Sequence, residues 1–433
     1  MFTRVPSREE WTRFRRYASW VRVLRPSDVV TISDDIFRQL SSVTSGGPVC
    51  PQLRRLTWTS TYGWKHAQQF LAPYLVSVVF LGEGGRRRNA DPGLTSTISL
   101  LPTIYLEELD LCHLPPSAPI HSALSEVVQR LSARFKRFTT TSSFSDAAWK
   151  YLASLPNLES FRVSHTPPTE ISESIPHVNA FPALTRVLIK TDGTCQHWSS
   201  LFSLFESSPL RRVVVGANHR IQDVDVPSQV VIAILEAGLQ QNINTLIFTG
   251  FDPTNLTLVS RLGPFGSLKN LKCNTWCRGV GHCDFPLTDS DIEQLAKQLP
   301  QLVILWLGHG CKPSSRKITI KSMICLSTHC LSLKSLRLPC NLTNISEDIE
   351  MESGEPDPRL EIQSSCMLRY LAFRWVAIPL EGDIEALKTV ASALDHLFPQ
   401  LHLSSGASAW KTTLDTMCIL QRRRMDRGDT TCK

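Results

Sequence analysis

The stretch LASLPNLESFRVSHT, residues 152–166, decides how this chain folds. It begins like the end of a helix, and a Leu-Pro break then leads into Leu158, Phe161 and Val163 at the spacing L-x-x-L-x-L. Alternate apolar residues after such a break predict a short strand with one buried face. The same phrase recurs elsewhere, for example in CPQLRRLTWTS (50–60), YLEELDLCHL (105–114), FPALTRVLIKT (181–191), QNINTLIFTGF (241–251) and LPQLVILWLGH (299–309).

The first apolar residues of successive phrases lie 22 to 35 residues apart. They are Leu53, Leu75, Leu106, Phe135, Leu158, Leu184, Leu210, Ile243, Leu268, Leu302, Leu333 and Leu368, with Val21 and Leu401 as weaker matches at the two ends. Helix-like segments with apolar residues three and four apart, such as 122–135 and 288–300, separate the phrases. One strand–helix unit cannot bury its core alone, so such units stack.

The sequence therefore predicts an α/β leucine-rich repeat solenoid, a horseshoe with a parallel concave sheet, convex helices and about 12–14 irregular repeats. In this fold Leu158, Phe161 and Val163 should all be buried. An ordinary doubly wound α/β fold is the alternative, but it would not repeat L-x-x-L-x-L after a Leu-Pro or Phe-Pro break.

Composition divides the chain into three parts. Residues 1–25 are predicted to form an N-terminal helix leading into the first repeat, residues 26–410 the solenoid, and residues 411–433 a helix end with a basic tail. Residues 345–361 hold seven acidic residues against one arginine, which predicts a disordered insertion able to mask a basic face.

The net charge of +7 is mild, and no apolar run is long enough to span a bilayer. The N-terminus carries charge but no apolar core of a secretory signal. The thirteen cysteines are therefore expected to be reduced thiols, and the chain is predicted to be cytoplasmic or nuclear, without membrane contact.

Catalytic and cofactor motifs do not appear in the sequence. The phosphate-binding glycine loops, the nucleophile elbow and the H-E-x-x-H zinc motif are all missing, so we expect neither an enzyme nor a cofactor. The segment CNTWCRGVGHC (273–283) offers Cys277, His282 and Cys283 as a weak metal candidate. Because Cys273 occupies a core position, only one ligand pair is left, and structural zinc sites usually have two. We therefore expect no metal.

Residues between the inward leucines are predicted to line the concave face. The residues predicted to bind a partner there are Arg137, Arg162, Arg186, Lys190, Arg212, Lys272, Trp306, Arg337, Tyr370 and Arg374. In the phrases as aligned, the basic residues from Arg137 to Lys272 have no acidic neighbour. A stripe of like charge indicates an acidic or phosphorylated protein partner.

Arg162, Arg186 and Arg212 are assigned the same offset in three consecutive phrases. Strands about 4.8 Å apart would hold their guanidinium groups in a ladder about 10 Å long. Trp306 and Tyr370 are expected to act as apolar anchors. Two alternatives stay open: the basic residues only solvate the surface, or they bind nucleic acid, which the few interleaved aromatics and the low net charge disfavour.

The segment PSREEWTRFRRYASWVRVL (6–24) resembles the segment that follows the F-box in basidiomycete F-box/leucine-rich-repeat proteins. The resemblance is carried by an acidic–Trp–x–x–Phe helix, a Tyr-Ala pair and Val-Arg-x-Leu, here Glu10, Trp11, Phe14, Tyr17, Ala18, Val21, Arg22 and Leu24. It implies the substrate-recognition part of a Skp-cullin-F-box ubiquitin ligase. An F-box would precede this helix, whereas the sequence begins at Met1. The F-box is thus either missing from the gene model or lost, and Skp adaptor binding is expected only in the first case. A leucine-rich repeat scaffold without ligase function is the alternative.

Overall fold

A computed structural model of the chain describes residues 7–26, 32–44, 46–82, 92–112, 114, 117–164, 179–191, 197–221, 225–251, 258–274, 287–308, 318–342, 366–372, 384–398, 401–403 and 419. The chain divides into two compact units. The first comprises Met1–Thr191 and Ser200–Leu210, and the second comprises Asp192–Ser199 and Arg211–Lys433.

Helices and strands alternate along the described chain. The helices are α1 (Arg8–Ala18), α2 (Asp34–Thr44), α3 (Trp64–Ala67), α4 (Pro92–Ser99), α5 (Ala118–Val128), α6 (Asp146–Ser154), α7 (Trp198–Ser203), α8 (Val226–Glu236), α9 (Asp289–Gln298), α10 (Ile320–His329) and α11 (Ile384–Leu397). The strands of the first unit are β1 (Val23–Leu24), β2 (Arg55–Thr59), β3 (Ser77–Leu81), β4 (Glu108–Leu111), β5 (Arg137–Thr140), β6 (Ser160–Val163) and β7 (Arg186–Thr191). Those of the second are β8 (Arg212–Ile221), β9 (Thr245–Phe251), β10 (Asn270–Asn274), β11 (Ile304–Leu307), β12 (Ser335–Arg337), β13 (Tyr370–Ala372) and β14 (His402–Leu403).

Within each unit every strand pairs in parallel with the next strand in sequence. In the first unit the second residues of β2 to β7 form one row, Leu56, Val78, Leu109, Phe138, Phe161 and Val187. In the second unit the equivalent row is Val213, Leu246, Leu271, Leu305, Leu336, Leu371 and Leu403. This in-order parallel stacking confirms the leucine-rich repeat solenoid fold. The weak matches at Val21 and Leu401 each lead into a two-residue strand, β1 and β14.

The inward row packs against the helices. Leu158, Phe161 and Val163 are all buried, as predicted. The Phe161 ring stacks on Phe138 of the preceding repeat, with centroids 6.1 Å apart, and meets Trp149 of α6 edge-on at 5.1 Å. Such aromatic pairs join adjacent repeats into one hydrophobic core.

Local sequence sets the helix starts. The Ser145 side chain accepts a hydrogen bond from the Ala148 amide at the start of α6. Thr288 and Asp291 form a reciprocal capping box at the start of α9, so two amides at that helix end find partners. The sequence predicts N-caps at Ser145, Ser228 and Thr288, where a serine or threonine precedes a helix with periodic apolar residues. Ser145 and Thr288 are confirmed, but the prediction at Ser228 is wrong, because Asp225 caps α8 and its side chain accepts a hydrogen bond from the Ser228 amide.

No helix in the described ranges is long and apolar enough to cross a membrane. The acidic segment 345–361 lies outside the described residues, as does the C-terminal segment 411–433 apart from Ile419. The predicted insertion and basic tail therefore stay predictions.

Candidate functional site

Each strand carries buried and accessible residues in alternation. In β10 and β11 the second and fourth residues are buried, while the first and third are partly accessible. We call the sheet surface formed by the first, third and fifth strand residues the open face. Nine of the ten predicted partner-binding residues lie on it, exposed or half-buried: Arg137, Arg162, Arg186, Lys190, Arg212, Lys272, Trp306, Arg337 and Tyr370. Arg374 lies outside the described residues.

Arg137 has an acidic neighbour, so the expectation of an unpaired basic stripe is wrong there. Glu108 and Arg137 are the first residues of adjacent strands and face each other in the register. The Arg137 Nη2 and Glu108 Oε2 atoms are 3.0 Å apart, and the same carboxylate oxygen accepts a hydrogen bond from Ser77 Oγ at 2.9 Å. Aligning phrases one by one hides this contact, because it joins residues of neighbouring repeats.

The predicted ladder of Arg162, Arg186 and Arg212 is also wrong. Arg162 is the third residue of its strand and pairs with Leu188, whereas Arg186 is a first residue and pairs with Ser160. A difference of two residues displaces Arg162 from the row of Arg186 by about 6.6 Å along the strand. Arg212 belongs to the other unit.

Arg162 and Lys190 also share their surroundings with a carboxylate. Burial raises the pKa of the nearby Cys112 thiol to about 12, and the Asp110 carboxylate adds to that increase, while Arg162 and Lys190 act against it. Asp110 accepts a hydrogen bond from the Cys112 amide at 3.0 Å. The open face of the first unit is therefore of mixed charge.

The open face of the second unit holds a cation–aromatic cluster. Lys272, Trp306 and Arg337 are third residues of three consecutive strands and stand side by side in the register. Lys272 Nζ lies 3.6 Å and Arg337 Cζ 3.9 Å from the centroid of the Trp306 ring. Arg337 Cζ is also 5.5 Å from the Tyr370 ring centroid, and its Nη2 donates to the Tyr370 hydroxyl at 3.3 Å. We call Lys272, Trp306, Arg337 and Tyr370 the Trp306 cluster.

The cluster changes the role expected for Trp306. Its two cations come from the strands on either side, so they cover the indole faces that a partner would otherwise contact. The indole nitrogen is engaged as well, donating to Ser335 Oγ at 2.9 Å. Cation–π attraction holds the ammonium and guanidinium groups in place. Trp306 is thus a support for two cations rather than an apolar anchor.

Electrostatics at the cluster are unbalanced. Burial lowers the pKa of Lys272, and the positive charges of Arg212 and Arg337 lower it further. The buried Ile247, next to Lys272 in the register, contributes apolar surroundings. Among the open-face residues described in the second unit none is aspartate or glutamate. Arg337 Nε is buried and has no hydrogen-bond partner among the described residues. The arrangement is suited to an anion.

The cysteine-based metal site considered from the sequence finds no support in the described part of the chain. Cys277, His282 and Cys283 lie outside the described residues, and the described ranges contain no group of three side chains placed to hold a metal ion. Cys273 is buried, as its core position predicts, and burial raises the pKa of its thiol to about 12. A thiol with such a pKa is protonated at neutral pH and unreactive.

The cluster residues were predicted one by one, but a signal in the sequence that they lie together was missed. Lys272, Trp306 and Arg337 each lie four residues after the first leucine of their phrases, at Leu268, Leu302 and Leu333, so one offset unites them. The supporting Ser335 was not predicted. Its contact depends on the orientation of the indole, which the spacing of residues does not define.

Comparisons with known proteins do not identify a family for this chain. No protein-family model matches the chain, and no curated protein matches it. Among solved structures, the chain is similar to a chain in the crystal structure of the Rad7 and Elc1 complex in yeast, with 13% sequence identity and a TM-score of 0.39 over 92% of this chain and 91% of that one. We transfer no property of that complex at this level of similarity. The fold and the cluster together define a leucine-rich repeat solenoid with a cationic face.

Proposed function

We propose that this chain is a protein-binding solenoid that captures an acidic or phosphorylated segment of another protein through the Trp306 cluster. The observation that carries the proposal is the set of three cations, Arg212, Lys272 and Arg337, without a described carboxylate on the same face. Bringing like charges together costs free energy that the fold does not require, and a bound anion recovers it. The role is one of binding, without catalysis or cofactor.

A phosphorylated residue suits this cluster. A phosphate monoester carries about −1.5 to −2 charges at pH 7 and offers three acceptor oxygens. The half-buried Arg337 brings a planar guanidinium group whose fork of N–H donors matches phosphate geometry, and Lys272 supplies a compact second charge beside it. Nucleic acid fits less well, because single strands bind by stacking bases on aromatic rings and the Trp306 faces are covered by its own cations.

The biological setting rests on the N-terminal resemblance. Residues 6–24 are similar to the segment after the F-box, and α1 begins with a Ser7–Glu10 capping box and places Trp11 against Phe14 with ring centroids 5.6 Å apart. We propose that the chain is the substrate-recognition part of a Skp-cullin-F-box ubiquitin ligase of the cytosol or nucleus. A leucine-rich repeat scaffold without ligase function is the second candidate.

Binding is tested by selection from a degenerate library of short phosphoserine peptides and from the same library without phosphate. Fluorescence anisotropy then measures the affinity of the enriched sequences. We expect the wild type to prefer the phosphorylated library and the double variant Lys272→Gln/Arg337→Gln to lose at least about tenfold in affinity, since a charged hydrogen bond contributes about 1.5–3 kcal/mol. The matched control is Arg137→Gln/Arg162→Gln on the first unit.

Equal losses in both double variants would assign binding to overall charge and overturn the role of the cluster. Enrichment that is independent of phosphate but dependent on aspartate or glutamate would restrict the ligand to acidic peptides. A single-stranded oligonucleotide that binds tightly and displaces the peptides would favour the nucleic-acid alternative.

The ligase assignment needs a separate test. If the genomic DNA upstream of Met1 encodes an in-frame F-box, the extended chain should retain the Skp adaptor in a pull-down. Peptide binding by the Trp306 cluster without adaptor binding would identify a scaffold that is not part of a ligase.

A further inference from the structure

Four large apolar side chains of the first unit are exposed in the segments that precede strands β3 and β4. Tyr74 is 51% exposed, Leu100 60%, Ile104 70% and Tyr105 39%. The Tyr74 and Tyr105 rings touch across neighbouring repeats, with centroids 5.6 Å apart. We call these four residues the strand-start patch. The touching tyrosine rings, with Ile104 next to Tyr105 in the chain, form exposed apolar surface of the kind that marks binding sites in soluble proteins.

The repeat itself does not require apolar residues here. Tyr74 and Tyr105 directly precede the first buried leucines of their phrases, Leu75 and Leu106. Other repeats carry exposed polar residues at the equivalent position, namely Gln52, Asn157, Gln301 and Ser332. Because these repeats fold with polar side chains at that position, the aromatic pair serves something other than the core.

Two arginines border the patch on one side. Arg134 lies in the next repeat with its guanidinium carbon 6.0 Å from the Tyr105 ring centroid. Arg130 donates through Nη2 to the Ser99 carbonyl at 2.7 Å, beside Leu100. Both are exposed, and within the described ranges neither takes part in an ion pair. The border of the patch is therefore positive.

We propose that the strand-start patch binds a segment of a partner protein whose apolar side chains are flanked by aspartate or glutamate. The apolar side chains would cover Tyr74, Ile104 and Tyr105, and the carboxylates would meet Arg130 and Arg134. Tyrosine rings suit such a role because they bury a large area with few rotatable bonds. The patch belongs to the first unit and the Trp306 cluster to the second, so this binding is independent of the proposed function.

The test is a displayed library of random short peptides selected on the full chain. The triple variant Tyr74→Ser/Ile104→Ser/Tyr105→Ser reports on the apolar contact, and Arg130→Gln/Arg134→Gln reports on the border. Gln52→Ala/Gln301→Ala, at the equivalent position of other repeats, is the matched control. All changed residues are exposed, so the thermal unfolding midpoint should stay close to that of the wild type.

We expect enriched peptides to combine apolar and acidic residues. They should bind the triple variant at least about tenfold more weakly, a loss of about 1.4 kcal/mol, because the substitutions remove the apolar contact. The arginine variant should weaken binding severalfold, and the control should not change it. The proposal is overturned if no peptide depends on the patch, if the enriched peptides lack acidic residues, or if sedimentation velocity shows a dimer that the triple variant dissociates.

Discussion

The open faces of the two units share one strand geometry but treat charge in opposite ways. On the first unit Arg137 meets Glu108 at 3.0 Å, and Lys136 beside it meets Glu107 at 2.9 Å. On the second unit Lys272 and Arg337 flank Trp306, and no carboxylate is described on that face. A count of basic residues therefore does not predict partner binding, because basic residues of the first unit neutralise acidic residues of the same unit.

The two open faces therefore differ in whether their basic side chains are paired with carboxylates or are available to a ligand. Glu108 and Arg137 neutralise each other, so the pair leaves little net charge to attract a partner, although it contributes only about 0–1 kcal/mol to stability. Burial, and after it the positive charges of Arg212 and Arg337, lower the pKa of Lys272, and no described open-face carboxylate of the second unit offsets this repulsion. The second unit is the better candidate for binding an anionic partner.

The largest expected effect is common to both units, because their interiors follow the same rule. Leu158→Ala in the first unit and Leu302→Ala in the second should each lower the free energy of unfolding by about 2–5 kcal/mol, since both side chains are completely buried. Urea denaturation measures the loss. The exposed Arg186→Gln is the control and should change stability by less than about 0.5 kcal/mol. A negligible cost at either leucine would show that this unit has a different core.

The second effect concerns the support of the cations. Trp306→Leu keeps every charge of the cluster but removes the ring that holds Lys272 and Arg337. Affinity for a phosphoserine peptide should therefore fall about 5-fold to 30-fold, given two cation–π contacts of about 0.5–1 kcal/mol each. Fluorescence anisotropy measures the change, with Trp20→Leu in the exposed turn after α1 as the control. Unchanged affinity would show that the charges act without the indole.

A smaller effect distinguishes paired from unpaired charge. A double-mutant cycle on Glu108 and Arg137, read out as unfolding free energy, should give a favourable coupling of about 0.2–1 kcal/mol, because the pair is partly exposed. The same cycle on Lys272 and Arg337 should give a coupling of the opposite sign and below about 1 kcal/mol. Couplings of the same sign would remove the contrast between the two faces.

The smallest effect is a pH dependence in the first unit. Hydrogen bonds from Lys65 and His66 lower the pKa of Asp34 from its ordinary 3.8. A lowered carboxyl pKa stabilises the fold above the unfolded value, and this stabilisation disappears as pH falls below 3.8 through the lowered pKa. The wild type should therefore be slightly more stable than Asp34→Asn at neutral pH, and the two should converge in acid. Thermal unfolding across that range measures it, and a constant difference would contradict the ion pair.

Several features of this protein followed from the sequence by itself. The L-x-x-L-x-L phrases predicted the strands, their buried residues and their in-order parallel stacking, and a serine or threonine before an apolar helix predicted the caps of α6 and α9. These are local properties, because burial alternates with a period of two along any strand and a cap depends on residues three apart.

Tertiary structure alone decided which side chains of different repeats meet. Strand pairing placed Glu108 against Arg137, separated Arg162 from the row of Arg186, and set Trp306 between Lys272 and Arg337. These neighbours come from segments about thirty residues apart, and their contacts depend on strand register and side-chain rotamers. The residues of the Trp306 cluster were all predicted to bind a partner, but repeats of variable length obscure the strand register, so their contacts with one another could be seen only once the strands were paired.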